Sequence, residues 1–538
     1  MSSNELFDIF SMLMLSLPLN EEGVKLGFLS KTYPYSFTIH QAISVMENLS
    51  LSIDNGSMST IITCEIGSDT GLALLEKFLS AKLIHCPADR TRDSPKASVA
   101  LQPTSKGIHI LQKYYQRNGH RCPHITELLL SPLNSMRCIT LNRSVTNDKI
   151  IQSEYFIHLL FQKFIGNQPN IYSPNNLPDS IPKNTLASIY GGISDFSVNS
   201  PDSAYFRFGI VNDVSPYFHR YFTHPDSDSV TQYYVSSKGV RLFRKKNFSN
   251  GVTEECFTGK AAWQWIMECC EIVNPGEAQD IGNLFLSHKL IEPITPSLSN
   301  KNNRYLAVSK KAFFRLTVKG KILSGWESSN NSCASLVESI PSRNGYQVSN
   351  FSNVSLASTD IGGGLGGRKI SSVFNDSDSL TRTTLKTVLE DPGLALLFRE
   401  YLGSHYCIEN LLFYYELHKF SLQYGPLLSS KPRSEKLPNW VKPCFSNAFT
   451  IYNGFLAQGA PFELNIDHKL RTEIIQVMSN LTDKPNNLQK LQTLHKIFYL
   501  FERAKKNVYR MMATDSLPNF LISKSYQESV LTFCSLKE

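Results

Sequence analysis

The stretch that decides the fold is LALLFREYL, residues 394–402, which follows the turn Asp391-Pro392-Gly393. Its apolar residues recur at positions i, i+3, i+4, i+7 and i+8, which is the spacing of one face of an α-helix. Five later segments carry similar apolar stripes, and no β-branched run typical of a strand interrupts them. These segments are 411–420, 449–456, 470–478, 491–503 and 508–512. The region from Leu380 onward therefore predicts an all-α bundle of about 150 residues.

Four short motifs containing polar residues are spaced along this predicted bundle. They are YCIENLLF at 406–413, IYNGF at 451–455, ELNID at 463–467, and MMATDS at 511–516 followed by Phe520-Leu521. In order and interval the motifs resemble an RGS domain, the module that accelerates GTP hydrolysis by the α subunits (Gα) of heterotrimeric G proteins. An additional polar segment at 424–441 resembles the insertions that fungal members often carry.

The resemblance implies which side chains would bind Gα and where they lie. They are Tyr406, Glu409, Asn410, Glu463, Asn465, Met511, Asp515, Ser516 and Asn519. Three interhelical loops would present them, with Glu409 and Asn410 on the first, Glu463 and Asn465 on the second, and Asp515 and Ser516 on the third. Asn465 would pack beside the Gα glutamine that orients the attacking water. Acceleration would come from holding Gα in its transition-state geometry, without a base or an arginine finger from this chain.

Two features leave alternatives open at these positions. Short polar residues such as Asp515 also serve as helix caps, and an asparagine such as Asn465 also serves as a turn residue. In addition, many family members have an arginine four positions after the aspartate, where this chain has Asn519. Because that arginine supports the aspartate, its replacement puts the affinity or selectivity for Gα in question.

An internal repeat precedes the bundle. FLSAKLI at 78–84 recurs as FLSHKLI at 285–291, and TSKG at 104–107 recurs downstream as TVKG at 317–320. In each copy a helix with an apolar stripe is followed by short strand-like runs, which 98–101 supply in the first copy, and 305–308 and 313–316 in the second. The repeat therefore predicts two α+β domains of winged-helix type, rather than a solenoid.

The second copy contains further motifs, FTGK at 257–260, WQWI at 263–266 and NPGEA at 274–278. With these it resembles a DEP domain, and the first copy resembles a degenerate one that keeps GIHILQK at 107–113. Two DEP-like copies before an RGS-like bundle resemble the fungal RGS regulators of pheromone and developmental signalling. The predicted parts are an N-terminal segment (1–30), a degenerate DEP-like domain (31–118), a mixed insert without an assigned role (119–240), a DEP domain (241–326), a flexible linker (327–377) and an RGS domain (378–538).

Basic charge is concentrated in the second DEP-like copy. The whole chain has 54 Lys and Arg against 46 Asp and Glu, a net charge of +8, and residues 241–321 contribute 13 against 7. Candidate docking residues are Arg244, Lys245, Lys246, Lys310 and Lys311. They would bind a receptor's cytoplasmic tail or an anionic membrane surface, unless they are simply solvated charge. DNA is disfavoured because 277–288, the segment that would read bases, contains two acidic residues and no arginine.

The segment 327–377 predicts a flexible linker, because 25 of its 51 residues are Ser, Asn or Gly. Its GGGLGG at 362–367 matches a nucleotide-binding pattern formally, but the flanking sequence is serine-rich where a strand and a helix would be required. Ser371, after Arg368-Lys369, is a candidate phosphorylation site. The eleven cysteines form no C-x-x-C pair, which predicts isolated thiols and no metal centre.

Together these features predict a GTPase-activating regulator of Gα that is not itself an enzyme and needs no cofactor. Its expected partners are GTP-bound Gα, a receptor tail and an anionic membrane surface, and nucleic acid is not expected. It would desensitise receptor signalling, with a mating pheromone or a nutrient as the signal. Without a secretory signal or an apolar run of about 20 residues, the chain is expected to be cytoplasmic and recruited peripherally to the plasma membrane. The alternative function is that of an RGS-fold scaffold or adaptor which binds a partner without accelerating hydrolysis.

Overall fold

The structure is a computed structural model of the 538-residue chain. It describes residues 1–25, 32–55, 58–88, 92, 94–96, 98–118, 122–131, 133–134, 138–171, 217–218, 234–235, 239–246, 253–294, 305–327, 384–429, 438–479 and 487–534. The glycine run at 362–367, Ser371 and nearly all of the predicted linker lie outside these ranges, as does 205–208, whose aromatic residues predict a strand.

The first domain combines five helices with two small hairpins. Its elements are α1 (Ser3–Ser16), α2 (Ile39–Glu47), β1 (Leu49–Asn55), β2 (Met58–Cys64), α3 (Ser68–Ser80), β3 (Ile84–His85), β4 (Gln102–Pro103), α4 (Ser105–Asn118) and α5 (Pro123–Leu130). Strands β1 and β2 pair antiparallel, as do β3 and β4. Helix α1 starts at a capping box between Ser2 and Glu5. It lies inside this domain's core, where the rings of Phe10 and Phe78 are 5.4 Å apart, so residues 3–16 are part of the domain rather than a separate leading segment.

The second domain is built around a four-stranded antiparallel sheet. Its elements are β7 (Phe243–Lys246), β8 (Thr253–Thr258), α7 (Gly259–Cys269), α8 (Pro275–Ser287), β9 (Ile291–Pro293), β10 (Phe313–Leu316) and α9 (Val318–Leu323), with sheet order β7-β8-β10-β9. The run at 305–308 was predicted to be a strand, but it is not one. There the amide of Leu306 donates to the Asn283 side chain at 2.6 Å, and Leu306 is fully buried against α8.

The two copies of the repeat fold alike at atomic detail. Lys82 and Lys289 both have a positive backbone φ, of 59° and 55°. Just downstream, the hydroxyl groups of Thr104 and Thr317 donate to the carbonyl oxygens of Lys82 and Lys289, both at 2.6 Å. The recurring sequence therefore encodes the same left-handed turn and the same helix start in both domains.

Lys106 joins the first domain to the second. Its ammonium is buried and donates to the carbonyl oxygens of Met267 at 2.5 Å and Ile272 at 2.6 Å, at the end of α7. Burial lowers the pKa of Lys106 to about 8. A cation at the carboxyl end of a helix complements the helix dipole and satisfies carbonyl groups that the helix itself leaves unpaired.

Glu271 forms the second polar link across this boundary. Its carboxylate accepts from Lys113 at 2.6 Å, from Thr140 at 3.0 Å and from His109 at 3.2 Å. Burial by itself raises the pKa of Glu271, but Lys113 and His109 outweigh it and hold that pKa well below the usual range. A buried carboxylate is therefore kept ionised between the two domains.

The predicted insert, 119–240, includes α5 of the first domain and a further helix, α6 (Glu154–Ile165), together with the short strands β5 (Tyr217–Phe218) and β6 (Tyr234–Val235). The apolar spacing over 150–164 predicts a helix, and α6 occupies most of that range. On one side, the ring of Phe164 packs edge-on against Trp265 of α7 at 5.2 Å. On the other side, the hydroxyl of Tyr155 lies 2.7 Å from that of Ser529 in the C-terminal region. Helix α6 is thus the piece that links the second domain to the bundle.

In its described residues the C-terminal region contains helices and connecting loops and no strand, which confirms the predicted fold class. Its elements are α10 (Leu385–Glu390), α11 (Pro392–Ser404), α12 (Ile408–Ser429), α13 (Val441–Ile451), a π-helical turn (Tyr452–Leu456), α14 (His468–Ser479), α15 (Asn487–Met511), a second π-helical turn (Met512–Ser516), α16 (Leu517–Leu521) and α17 (Lys524–Cys534). The buried carboxyl of Asp391 caps α11 by accepting from the amides of Gly393 and Leu394. Helix α12 continues past Tyr424 to Ser429, so the additional polar segment begins as helix.

Candidate functional site

The first of the three candidate segments, 406–410, is a tight corner between α11 and α12. Tyr406 has a φ of +56° and 49% of its surface is exposed. The amide of Cys407 donates to the carbonyl of Leu402 at 3.1 Å, which closes the corner. Glu409 and Asn410 were expected in a loop, but they lie in the first turn of α12. Because the positive φ of Tyr406 reverses the chain sharply, α12 already begins at Ile408, one residue before Glu409.

Glu409 and Asn410 contact each other, and each keeps an oxygen without a hydrogen bond. The amide of Asn410 donates to Glu409 Oε1 at 3.2 Å, while Glu409 Oε2 and Asn410 Oδ1 have no hydrogen-bond partner. Burial raises the pKa of Glu409. Both oxygens are buried, and an unpaired buried acceptor costs about 1–3 kcal/mol, so rotation of either side chain toward a partner that supplies N–H or O–H donors would remove that cost.

The second segment, 463–467, is a loop between the first π-helical turn and α14. The carboxylate of Glu463 accepts from the amide of Gly459 at 2.9 Å and from the guanidinium of Arg471. Asn465 is exposed between two buried neighbours, Leu464 and Ile466, which are 1% and 9% exposed. Burial of Leu464 and Ile466 fixes the backbone of this loop, and the side chain between them, that of Asn465, therefore points to the surface.

The second segment is held to α12 through a chain of aromatic rings. Phe413, one turn after Glu409, lies 5.6 Å from Phe455, and Phe455 lies 5.9 Å from Phe462. The amide of Phe462 also donates to the carbonyl of Gly454 at 3.0 Å. The loop carrying Asn465 is therefore built on the same core that positions the first segment.

The third segment follows α15 without a loop. Met511 is the last residue of α15, and Asp515 and Ser516 were expected in a loop but belong to the π-helical turn that leads directly into α16. Asp515 is exposed, and its carboxylate accepts from the hydroxyl of Thr514 at 2.9 Å. Burial raises the pKa of the Cys407 thiol, and Ser516 lies close enough to act in the opposite direction, which places the third segment beside the first.

Asn519 supports the main chain of Asp515, not its carboxylate. Its side-chain amide donates to the carbonyl oxygen of Asp515 at 2.9 Å, and both residues are exposed. A guanidinium at this position would have five donors and a longer reach, and would be able to bind the carboxylate itself. The Asp515 carboxylate is therefore held by Thr514 alone among the hydrogen bonds found in the described residues.

The first domain meets the bundle directly behind the second segment. A Cβ atom added to Gly454 would lie 3.1 Å from the carbonyl oxygen of Arg117, near the end of α4. Arg117 is itself held by an ion pair with Asp8 of α1 at 2.8 Å. The end of α4 thus abuts the π-helical turn whose carbonyl groups anchor the loop of Asn465.

The basic candidates of the second domain are on and beside its sheet. The ammonium of Lys245 lies 3.5 Å from the ring centre of Phe313, and exposed Arg244 pairs weakly with Glu255 at 3.8 Å. Lys310 and Lys311 are exposed in the turn that leads into β10. Lys246 ends strand β7. None of the described helices is long and apolar enough to cross a membrane.

Comparisons with protein families identify the three folded regions. Residues 5–131 match the fungal-differentiation regulator winged helix domain, 239–316 match the DEP domain, and 384–529 match the regulator of G protein signaling domain. The first match includes α1, in agreement with its place in the core.

Two similar proteins match nearly the whole chain, and a third matches part of it. The developmental regulator flbA of Emericella nidulans is 28% identical over 97% of this chain, which spans 63% of that protein's length. Regulator of G-protein signaling 1 of Schizosaccharomyces pombe is 23% identical over 96% of this chain and 88% of its own. Human regulator of G-protein signaling 7 is 29% identical over 26% of this chain and 22% of its own. The chain thus contains regions that match the RGS domain, the DEP domain and the fungal winged helix domain, and over nearly its whole length it is similar to flbA and to regulator of G-protein signaling 1.

Proposed function

We propose that this protein is a GTPase-activating protein for a Gα subunit. The observation that carries the proposal is that three segments far apart in sequence rest on one helical core. They are 406–410, 463–467 and 511–519, and together they span about a hundred residues. Exposed Asn465 and Asp515 lie on two of these segments, and the first has oxygens in need of donors. Such a surface suits the amides and hydroxyls of the mobile switch segments of a GTPase.

The proposed mechanism is stabilisation of another protein's active site. The candidate residues offer hydrogen-bond acceptors and an amide, and none of them is placed as a general base. Binding the switch segments in the geometry that they have in the transition state lowers the barrier without any covalent step. A tenfold acceleration corresponds to about 1.4 kcal/mol of such differential binding.

Single-turnover GTP hydrolysis by purified Gα subunits tests this function. With the full chain added, we expect at least about tenfold faster hydrolysis for a cognate Gα, and binding to the aluminium-fluoride form in preference to the GDP form. Binding to that form with an unchanged hydrolysis rate would instead establish the scaffold function. If none of the organism's Gα subunits binds in any nucleotide state, the GTPase-activating function is excluded.

We further propose that the DEP domain brings the protein to the plasma membrane by docking on an anionic surface or a receptor's cytoplasmic tail. The support is the exposed set Arg244, Lys310 and Lys311 on one domain, since each basic residue near an anionic lipid surface contributes about 1 kcal/mol. By accelerating GTP hydrolysis there, the protein would desensitise receptor signalling for a mating pheromone or a nutrient. Ser371 is proposed as a phosphorylation site.

A further inference from the structure

Three side chains of metal-ligand type meet where α6 passes the end of α8. They are Glu154 and His158 on α6, and His288, the residue that caps α8. Their ligand atoms all lie within 4.8 Å of one another. Glu154 and His158 are four residues apart on one helix and so share a face, while His288 comes from a different domain.

We propose that Glu154, His158 and His288 bind a divalent transition-metal ion, zinc being the ion whose preferences fit best. Zinc takes imidazole nitrogen and carboxylate oxygen at about 2.0–2.2 Å, which puts two ligands on one ion about 3.3 Å apart. Glu154 is exposed at the start of α6, so rotation of its side chain can bring its carboxylate closer to the imidazoles. Three protein ligands leave one position of a tetrahedral ion for water.

The surroundings hold the two imidazoles in place. The ring of His158 is 2% exposed and packs edge-on against His288 at 5.7 Å and against Phe533 of α17 at 5.4 Å. Rigid neighbours of this kind keep ligands oriented, as outer-sphere groups do in metal sites. Lys319 acts electrostatically on His288. Because its positive charge repels a divalent cation, removing that charge should strengthen metal binding.

The position of the site indicates what the ion would do. Helix α6 contacts the DEP domain through Phe161 and Phe285, whose rings are 5.2 Å apart. It contacts the RGS bundle through Lys163 and Glu400, paired at 2.8 Å. An ion shared by α6 and the end of α8 would add a cross-link at this junction, and so stabilise the arrangement of the DEP domain relative to the bundle. This role does not depend on Gα binding.

Zinc titration of the full chain, purified without a histidine tag and treated with a chelator, tests the site. In competition with a chromophoric chelator we expect one zinc per chain at submicromolar affinity, and no comparable binding of Mg²⁺ or Ca²⁺, which prefer all-oxygen sites. Co²⁺ should give the visible absorption of a tetrahedral complex. Zinc should also raise the melting temperature of the wild-type chain.

Variants assign the binding to these residues. His288→Gln and Glu154→Gln should each weaken zinc binding at least tenfold and abolish the Co²⁺ spectrum, and Lys319→Ala should tighten zinc binding. The matched control is His468→Gln, an exposed histidine at the start of α14. Circular dichroism in chelator checks that every variant is folded, and if His288→Gln is not, Glu154→Gln decides. Equal zinc affinity in Glu154→Gln and His468→Gln, or no binding by the wild-type chain, overturns the proposal.

Discussion

The amide of Leu464 donates a 3.0 Å hydrogen bond to the carbonyl oxygen of Phe455. Through this bond the loop that presents Asn465 is attached to the π-helical turn, and not merely packed beside it. Phe455 is buried against Phe413, so the core of the bundle determines the position of the loop. The Asn465 side chain itself is exposed, which separates its role in binding from any role in folding.

Replacing Asn465 by Ala should therefore reduce the acceleration of GTP hydrolysis without loss of stability. Loss of one interaction made in the transition state costs about 1.5–3 kcal/mol, or roughly a 10- to 100-fold decrease in the single-turnover rate. The melting temperature should change by less than about 2 °C, because surface substitutions usually change the free energy of unfolding by under 0.5 kcal/mol. Lys469→Ala, an exposed change one turn further along, is the control. A rate for Asn465→Ala equal to that of the control would show that this loop does not bind Gα.

The substitution Asn519→Arg tests the departure from the RGS pattern. At present the Asn519 side chain binds the carbonyl oxygen of Asp515, while the carboxylate is held by Thr514. A guanidinium able to pair with the carboxylate should order it for binding, so we expect several-fold tighter binding of Gα in its aluminium-fluoride form. Asn519→Lys is the matched control, because it adds the same charge without the planar pair of donors. Equal effects of Arg and Lys would assign the change to charge alone.

Membrane docking predicts that reversing charge on the DEP domain weakens binding to anionic vesicles. The double variant Lys310→Glu and Lys311→Glu should lose at least about tenfold in partition coefficient, since about 1 kcal/mol is lost for each basic residue near the surface. Lys386→Glu with Lys524→Glu, exposed lysines of the bundle, makes the same charge change elsewhere. Vesicle co-sedimentation at low and physiological salt measures both variants. Equal losses in the two would mean that only net charge matters.

Acid should loosen the boundary between the winged helix and the DEP domain. Burial of Glu271 raises its pKa, but Lys113 and His109 together lower the pKa below the usual 4.5. The folded state therefore takes up fewer protons than the unfolded state, so this carboxylate contributes stability above pH 4.5 that is lost as the pH falls. Glu271→Gln should cost about 2–3 kcal/mol near pH 7 and flatten the stability profile from pH 5 to 3. Melting temperatures across that range measure it, and a parallel profile in the variant would assign the acid sensitivity to other groups.

Two glycines of the bundle predict opposite effects on stability. Gly403 lies near the end of α11 with nothing within 4 Å of an added Cβ, so Gly403→Ala should raise the free energy of unfolding by about 0.5–1 kcal/mol. Gly454 faces the carbonyl oxygen of Arg117, so the branched side chain of Gly454→Val should lower it by about 1–3 kcal/mol. Chemical denaturation of the full chain measures both. A neutral Gly454→Val would show that α4 and the bundle are not in contact in solution.

Helical periodicity was enough to predict the bundle, because apolar spacing determines which faces are buried. Of the DEP sheet it predicted β10, but not β7 or β8, and the strand expected at 305–308 was wrong. The repeated TSKG and TVKG were also informative, since an added Cβ at Gly107 would lie 2.1 Å from the carbonyl oxygen of Leu83, and one at Gly320 would lie 2.2 Å from that of Leu290. Motif spacing did not predict that Asp515 would lie in a π-helical turn, because one extra residue in a helix leaves no local signal. Nor could it pair His158 with His288, which are 130 residues apart and approach each other only through packing.

The lysines inside the two repeated motifs have different surroundings. Lys106, in the first copy, is sealed at the end of the neighbouring domain's helix, whereas Lys319, at the same place in the second copy, remains partly exposed beside His288. Of these two lysines, Lys106 connects its domain to the neighbouring one through buried hydrogen bonds. The modules are consequently no longer interchangeable, and exchanging one for the other would bring a side chain of the right type to the wrong interface. A chimera in which only the repeat is exchanged should fold poorly, unless Lys106 and the end of α7 that it binds are transferred together.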